Sequence, residues 1–314
     1  MRAVTIRQSE LSVQEHPEPV PGAGEVLVRV KAAGLNGADM LQRRGRYPAP
    51  KGAPQEIPGL ELAGEVVRCG PGAERFAPGE RVMGIVAGGG QAELAVVHER
   101  VLMGVPENLG WPQAGGVPEV FTTAHDALFT QAGLQPGERL LVHGGAGGVG
   151  TAAIGLGRAT GARVTATVRN PDLRDQVAEL GARVIEPGGF GGHGPFDVIL
   201  ELVGAPNLGE NLKALETDGR IVVIGVGAGA KGELNLGSLM AKRGRIHGST
   251  LRARPLEDKA LTARALERSV LPLLAAGAVH VPVAATYPLE RAPEAYDRFA
   301  AGGKLGKIVL ETGG

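Results

Sequence analysis

The stretch His143-Gly144-Gly145-Ala146-Gly147-Gly148-Val149-Gly150 decides the fold. An apolar run, Arg139-Leu140-Leu141-Val142, leads into it, and the small residues Thr151-Ala152-Ala153-Ile154-Gly155-Leu156 lead out. The order is strand, glycine turn, helix. Gly145, Gly147 and Gly150 form G-x-G-x-x-G inside it. In a dinucleotide site these glycines make a tight turn, let a pyrophosphate approach the backbone, and bring helix close to sheet. The helix N-terminus then presents free N–H groups and the positive end of its dipole to the phosphates. The chain has 51 glycines in 314 residues. The motif alone is therefore weak, and the flanking strand and helix give it meaning.

The length predicts two domains, each able to bury a core. Thirty-three basic and 33 acidic side chains leave no net charge. That argues against a general attraction to nucleic acid or to a membrane surface. The single cysteine, Cys69, excludes an internal disulfide and fits a reducing, cytoplasmic setting. Charges at Arg2, Arg7 and Glu10 stand where a signal peptide needs an apolar core. The apolar runs are strand-length and interrupted, so no transmembrane helix is expected.

The first hundred residues read as β-rich. Segments 26–32, 64–69 and 81–86 approach strand alternation, and Gly/Pro turns separate them. Short punctuated strands suggest a compact barrel. From about residue 120 strands and helices alternate. Strands are expected at 139–143, 163–168, 197–201 and 220–225, with helices near 148–160, 171–180 and 207–215. Such a βαβ series implies a parallel sheet with right-handed crossovers. Asn170-Pro171-Asp172 is a helix start, with Asn as N-cap and Pro in the first turn. After about 257, a helix interrupted by Pro272, a helix over 290–299 and a strand over 306–311 return the chain to its first domain.

The second strand of the series bears on the cofactor. An acid at its end bonds the adenosine ribose in an NAD site. Here that position, near 168, is valine, and Arg169 follows. The absent carboxylate removes a repulsion, and Arg169 can pair with a 2′-phosphate. This favours NADPH. The alternatives are an ordinary solvated Arg169, and Asp172 as a displaced ribose acid.

These features together resemble the medium-chain dehydrogenase/reductase superfamily, and within it the zinc-free quinone oxidoreductases of the ζ-crystallin-like group, nearest the tumour-suppressor-inducible branch. The residues behind the resemblance are the ordered set 34–47, 58–64, Gly88-Gly89-Gly90-Gln91-Ala92, Pro118-Glu119 and 305–311. The implied fold is α/β: a GroES-like domain over 1–117, completed by 259–314, with an inserted Rossmann domain over 118–258. The implied partners are a small-molecule quinone or enone and a second copy of the chain. No nucleic acid or membrane partner is expected.

Zinc-dependent relatives carry Cys where Asn36 falls and Gly-His-Glu where Gly59-Leu60-Glu61 falls. Neither Asn36 nor Leu60 supplies a thiolate, imidazole or carboxylate. The seven histidines form no HExxH, and one cysteine cannot build a four-cysteine zinc lobe. Glu61 reads as a structural ion-pair residue. No metal is expected, so the substrate must accept hydride without a Lewis acid. A quinone or conjugated enone does so, because its π-system spreads the charge. By resemblance, Asn36 lies near the nicotinamide and Tyr47 lines the substrate pocket, where it can donate a proton or hydrogen bond. An Asx turn and a packing role are the plainer readings of these two. Tyr47-Pro48-Ala49-Pro50-Lys51 also spells Y-x-x-x-K, but its prolines oppose the helix that short-chain reductases need.

The implied cofactor-binding set is Gly145, Ala146, Gly147, Gly148, Val149, Gly150 and Arg169, with Gly225, Val226, Thr250 and Leu251 at two later loops. Lys304, Arg252, Arg254 and His193 are weaker candidates. Segment 183–195 is too rich in Gly and Pro for the helix that relatives place there. The competing functions are a quinone reductase, an enone or enoyl double-bond reductase, and a nucleotide-binding regulatory or RNA-binding protein with little turnover.

Overall fold

The computed structural model describes residues 1–313. A hairpin of β1 (Arg2–Arg7) and β2 (Glu10–Glu15) opens the chain and turns at Gln8 and Ser9, both at positive φ. Then come β3 (Glu25–Gly34), α1 (Gly37–Arg43), β4 (Glu61–Cys69), β5 (Arg81–Ile85), β6 (Leu94–His98) and β7 (Leu102–Gly104). Val26, Val28 and Val30 are buried along β3, which pairs antiparallel with both β4 and β6. Their branched side chains fill the barrel interior, as alternation predicts.

Two short helices, α2 (Trp111–Gly116) and α3 (Pro118–His125), lead into the second sheet. That region runs β8 (Arg139–Val142), α4 (Gly148–Ala159), β9 (Arg163–Thr167), α5 (Arg174–Glu179), β10 (Arg183–Ile185), β11 (Phe196–Glu201), α6 (Leu208–Ala214), β12 (Leu215–Val223), α7 (Leu236–Lys242) and β13 (Arg245–Gly248). The six strands are parallel in the order β10-β9-β8-β11-β12-β13. This is the doubly wound order expected of a Rossmann sheet, with its switch point between β8 and β11. Leu140, Leu141 and Val142 are all fully buried, because a central parallel strand is covered on both faces.

The tail comprises α8 (Leu256–Ser269), α9 (Leu271–Ala275), β14 (Val283–Pro288), α10 (Ala292–Ala301) and β15 (Lys307–Glu311). β15 pairs antiparallel with β3, so the end of the chain completes the barrel sheet. The break expected at Pro272 falls two residues earlier. Proline clashes with the carbonyl four residues back, so α8 must stop before it, and Pro272 sits in the first turn of α9, where no N–H is needed.

Two expectations are adjusted. Segment 183–195 holds no α-helix, but it forms the edge strand β10 and one 3₁₀ turn, Phe190–His193. Three residues are too few to show a period, so β10 is silent in the sequence. The helix expected over 171–180 begins as a 3₁₀ turn, Pro171–Leu173, with Asn170 Oδ1 accepting from the Asp172 N–H at 3.1 Å. Among the described residues no helix is long and apolar enough to cross a membrane.

The glycine turn shows the steric demands of its motif. A Cβ on Gly150 would lie 2.4 Å from the Gly144 carbonyl oxygen, whereas one on Gly147 would meet only that oxygen, at 3.4 Å. Gly150→Ala is therefore expected to lower stability by roughly 1–3 kcal/mol. Gly147→Ala should stay within about 0.5 kcal/mol of the parent. Denaturant titration of both variants checks the ranking.

Candidate active site

In a parallel sheet every strand points the same way, so the loops after the strands gather at one edge. The glycine turn follows β8, Arg169 follows β9, Gly225 and Val226 follow β12, and Thr250 and Leu251 follow β13. All the expected cofactor positions therefore share that edge. Gly147 caps α4, whose 12 residues run away from the turn. Val168 is buried in the core and Arg169 is exposed, with no ion pair or hydrogen bond among the described residues. Val226 and Thr250 are exposed, whereas Leu251 is buried. These residues fit a dinucleotide: an open turn, a helix N-terminus and a free guanidinium on one rim.

The tail strand reaches this turn. Gly306 N–H donates to the Ala146 carbonyl at 2.9 Å, and Gly306 bridges Gly147. The next residue, Lys307, is 2 % exposed. Its ammonium donates to the Leu35 carbonyl at 2.7 Å, Asn36 Oδ1 at 2.7 Å and Glu61 Oε1 at 2.6 Å. Asn36 Nδ2 donates to the same Glu61 oxygen at 2.9 Å. Glu61 Oε2 accepts from the Glu119 N–H at 2.8 Å. Glu61 is thus an ion-pair residue, as the sequence reading expects. The Asn36 amide is held at both ends, by an acceptor and a donor, so its orientation is set.

Asn36 also starts α1, where Asp39 reaches back to its N–H at 2.8 Å. Asp39 accepts a second bond from Gly59 N–H at 3.2 Å, yet burial pushes its carboxyl up to about 6. The half-buried Glu119 is pushed higher, to about 8, first by burial and then by the charge of Glu61.

Tyr47 lies where the loop after β13 crosses to the barrel. The buried Arg252 stands over its ring at 5.1 Å. Arg252 donates to the Tyr47 carbonyl at 2.9 Å, the Ala87 carbonyl at 2.8 Å and Gln42 Oε1 at 2.6 Å. The same loop is tied a second time. Arg254 and Ser249 both donate to Asp126, at 2.7 Å and 2.9 Å. Asp126 opens a π-helical turn, Asp126–Gln131, that continues α3. Such wide turns recur at functional sites.

The structure gathers Asn36, Glu61, Glu119 and Lys307 beside the glycine turn. Arg252 and Arg254 act as ties across the junction and not as free cations, and His193 Nδ1 accepts from Arg183 at 3.2 Å in an exposed loop. Lys304 sits over Phe299 at 4.5 Å and donates to the Gly306 carbonyl at 2.7 Å. Burial, with Lys307 and Arg298 nearby, lowers its ammonium to about 8. Sequence reasoning did not find Lys307 as the partner of Glu61 or Glu119 as a site residue. The only signal was the placement of both in segments that carried the resemblance. The sequence places His143 at the start of the glycine turn. It is buried and bonds Asn211 at 2.8 Å and Thr167 at 3.2 Å, which fastens the strand end below the turn.

Comparison with known proteins agrees with this architecture. Residues 22–133 match the model of the alcohol dehydrogenase GroES-like domain, and residues 189–310 match a zinc-binding dehydrogenase model. The chain is 31% identical to the quinone oxidoreductase of Rattus norvegicus, over 93% of this chain and 90% of that protein. It is 36% identical to the erythronolide synthase EryA2 of Saccharopolyspora erythraea over 93% of its own length, which is 8% of that protein. A mycobacterial protein solved in complex with NADPH superposes with a TM-score of 0.89 at 25% identity, covering 99% of this chain and 100% of that one. The zinc in the second family description finds no counterpart in the donor set. Leu60 is buried and apolar, Asn36 is engaged by Lys307 and Glu61, and among the described residues no His/Cys/Asp/Glu group could hold a metal ion.

Lys307→Met tests the network. Removing the ammonium leaves Glu61 charged and buried, which costs roughly 3–5 kcal/mol. The variant should lose about that much in chemical denaturation, and adding Glu61→Gln to it should recover a large part.

Proposed function

Because the chain belongs to the medium-chain dehydrogenase/reductase family of NAD(P)-dependent oxidoreductases, we propose that it is an NADPH-dependent quinone reductase that works without a metal. One observation carries the reading. The likeness to quinone oxidoreductases spans nearly the whole chain, and the two positions expected to ligate zinc are Asn36 and Leu60. A site without a Lewis acid needs an acceptor that stabilises added charge by itself, and a quinone does this through its ring.

When bound, the nicotinamide supplies a hydride. The residues of the chain do the rest. The turn from Gly145 to Gly150 and the start of α4 hold the pyrophosphate. Arg169, free and exposed, meets the 2′-phosphate. Gly225, Val226, Thr250 and Leu251 line the ribose and nicotinamide end. Asn36, fixed by Lys307 and Glu61, orients the reacting ring, and Tyr47 lines the acceptor slot. Holding both reactants in a dry cleft supplies most of the catalysis. In this reading residues 118–258 form the cofactor domain, and 1–117 with 259–314 form the domain that holds the acceptor. We also propose a homodimer formed along the edge strand β13, next to which Leu236 and Met240 expose apolar side chains.

The second reading is reduction of an enone or enoyl double bond. It uses the same hydride step, and the likeness to part of a polyketide synthase favours it.

One measurement separates these, and a second tests the cofactor. With NADPH in excess, phenanthrenequinone should be reduced faster than an enone or an enoyl thioester; the opposite ranking selects the second reading. Arg169→Ala should weaken NADPH by on the order of 1–3 kcal/mol, the range for a lost charge-assisted bond, and leave NADH nearly unchanged. Equal losses in calorimetric titrations with the two cofactors would remove Arg169 from the 2′-phosphate site.

A further inference from the structure

We propose that His143 is a positioning residue for the cofactor: in its neutral Nε2–H form it ties the glycine turn to the loops after β11 and β12 through a one-way chain of hydrogen bonds. The inference rests on the reading that this turn takes a dinucleotide, and not on the identity of the acceptor.

His143 follows β8 at the switch point of the sheet and is 1 % exposed. Strand β11 pairs with β8 across that point and ends in Glu201, which is also buried. The Glu201 carboxylate accepts from the Val203 N–H at 2.7 Å, the Gly204 N–H at 2.8 Å, Asn207 Nδ2 at 3.1 Å and Asn211 Nδ2 at 2.8 Å. Its backbone carbonyl accepts from the Ile224 N–H at 3.0 Å and the Gly225 N–H at 3.1 Å. One residue therefore holds two of the loops at the cofactor edge.

The direction of each bond follows from Glu201. A carboxylate only accepts, so Asn211 turns its amide hydrogens to Glu201 and its oxygen to His143. That oxygen lies 2.8 Å from His143 Nε2, so Nε2 carries the hydrogen. In a neutral imidazole the other nitrogen is then a bare acceptor. Nδ1 is 3.2 Å from Thr167 Oγ1, so the threonine hydroxyl donates to it. Oγ1 in turn accepts from the Gly144 N–H at 3.2 Å. Gly144 is at φ 66°, and its carbonyl accepts from the N–H of Gly147, the cap of α4, at 3.0 Å. The chain runs unbroken from the glycine turn to Glu201.

Protonation breaks the chain at one point. A second hydrogen, at Nδ1, makes His143 a donor at both ends. Thr167 Oγ1 must then accept from His143 and Gly144 together, and its own hydrogen is left without an acceptor. Thr167 is 2 % exposed, so that orphan is buried and costly. The charged groups that act on His143 are Glu201 from β11 and Glu210 from α6, and both favour the proton. Burial, which includes the Phe190 ring 4.6 Å away, outweighs them and holds the imidazole below the usual histidine range. The ring is neutral at pH 7, as the chain requires.

Thr167→Val removes the hydroxyl, and Thr167→Ser keeps it. In calorimetric titration at pH 7, NADPH should bind Thr167→Val about tenfold more weakly than the parent, the effect of one lost hydrogen bond, and Thr167→Ser within about threefold of the parent. Below the usual histidine range, parent affinity should decline more steeply with acid than that of Thr167→Val, whose chain is already cut. Titration of the NADPH phosphates is common to both and cancels. A readout independent of affinity is the ¹⁵N spectrum of the histidine rings. At pH 7 it should show one ring with Nε2 protonated and Nδ1 bare that is lost in His143→Gln. Saturating NADPH should lower the pH at which this ring gains its second proton, because the linkage is reciprocal. The proposal is overturned by a His143 that carries its hydrogen on Nδ1, by equal NADPH affinity in Thr167→Val and the parent, by a Thr167→Ser as weak as Thr167→Val, or by a His143 titration that NADPH leaves unmoved. If Thr167→Val fails to fold, the ring spectra of the parent with and without NADPH decide. A parent that binds neither NADPH nor NADH overturns the cofactor reading itself, whereas a binding parent matched by Thr167→Val overturns only the role of His143.

Discussion

The Lys307 ammonium, out of contact with water, is the interaction on which the rest of the structure depends. A buried cation is costly unless it is paired and hydrogen-bonded. Lys307 meets that condition through Glu61, Asn36 and the Leu35 carbonyl. Those partners come from the loop after β3 and from β4, more than two hundred residues earlier in the chain. The residue before it, Gly306, is bonded to the glycine turn. One dipeptide of the closing strand therefore holds the cofactor turn and the Asn36 network at a set separation. Among the described residues Glu61 has no other cation within ion-pair distance.

A second set of ties places the loop after β13. Arg252 grips three acceptors on the barrel side, and Arg254 with Ser249 grips Asp126 at the π-helical turn. The two arginines are two residues apart and pull in different directions. Between them they bring the end of the parallel sheet against Tyr47. Helix α3 lies under this junction with Val120, Phe121 and Ala124 buried, and it contributes to one hydrophobic core shared by both sheets. Glu119 stands in the first turn of the same helix, and burial with the neighbouring Glu61 charge raises its carboxyl.

Much of this was legible residue by residue. The glycine spacing, the β-branched strands and the Asn170-Pro171 helix start are local signals, because each depends on neighbours within a few residues. Val168 and Arg169 could be read the same way once their strand was found. β10 could not, being three residues long, nor could the exact end of α8, which answers to a proline outside it. Glu61 was recognised as an ion-pair residue, but its partner was not, because nothing in the sequence around Lys307 distinguishes it from a surface lysine in a strand. Glu119 stands in the sequence only as the second residue of Pro118-Glu119. Its unusual environment is made by Glu61 and Asp39, which precede it by tens of residues.

By itself the sequence determined the class of the protein: an α/β chain with a dinucleotide turn entered late, no zinc donors at positions 36 and 60, and no carboxylate at 168. These are properties of short stretches, set by backbone sterics and by which atoms a side chain carries. Only the tertiary structure decided which charges meet. Pairing, burial and the protonation of a carboxyl depend on distances of a few ångströms between residues far apart in the chain, and folding alone sets those distances.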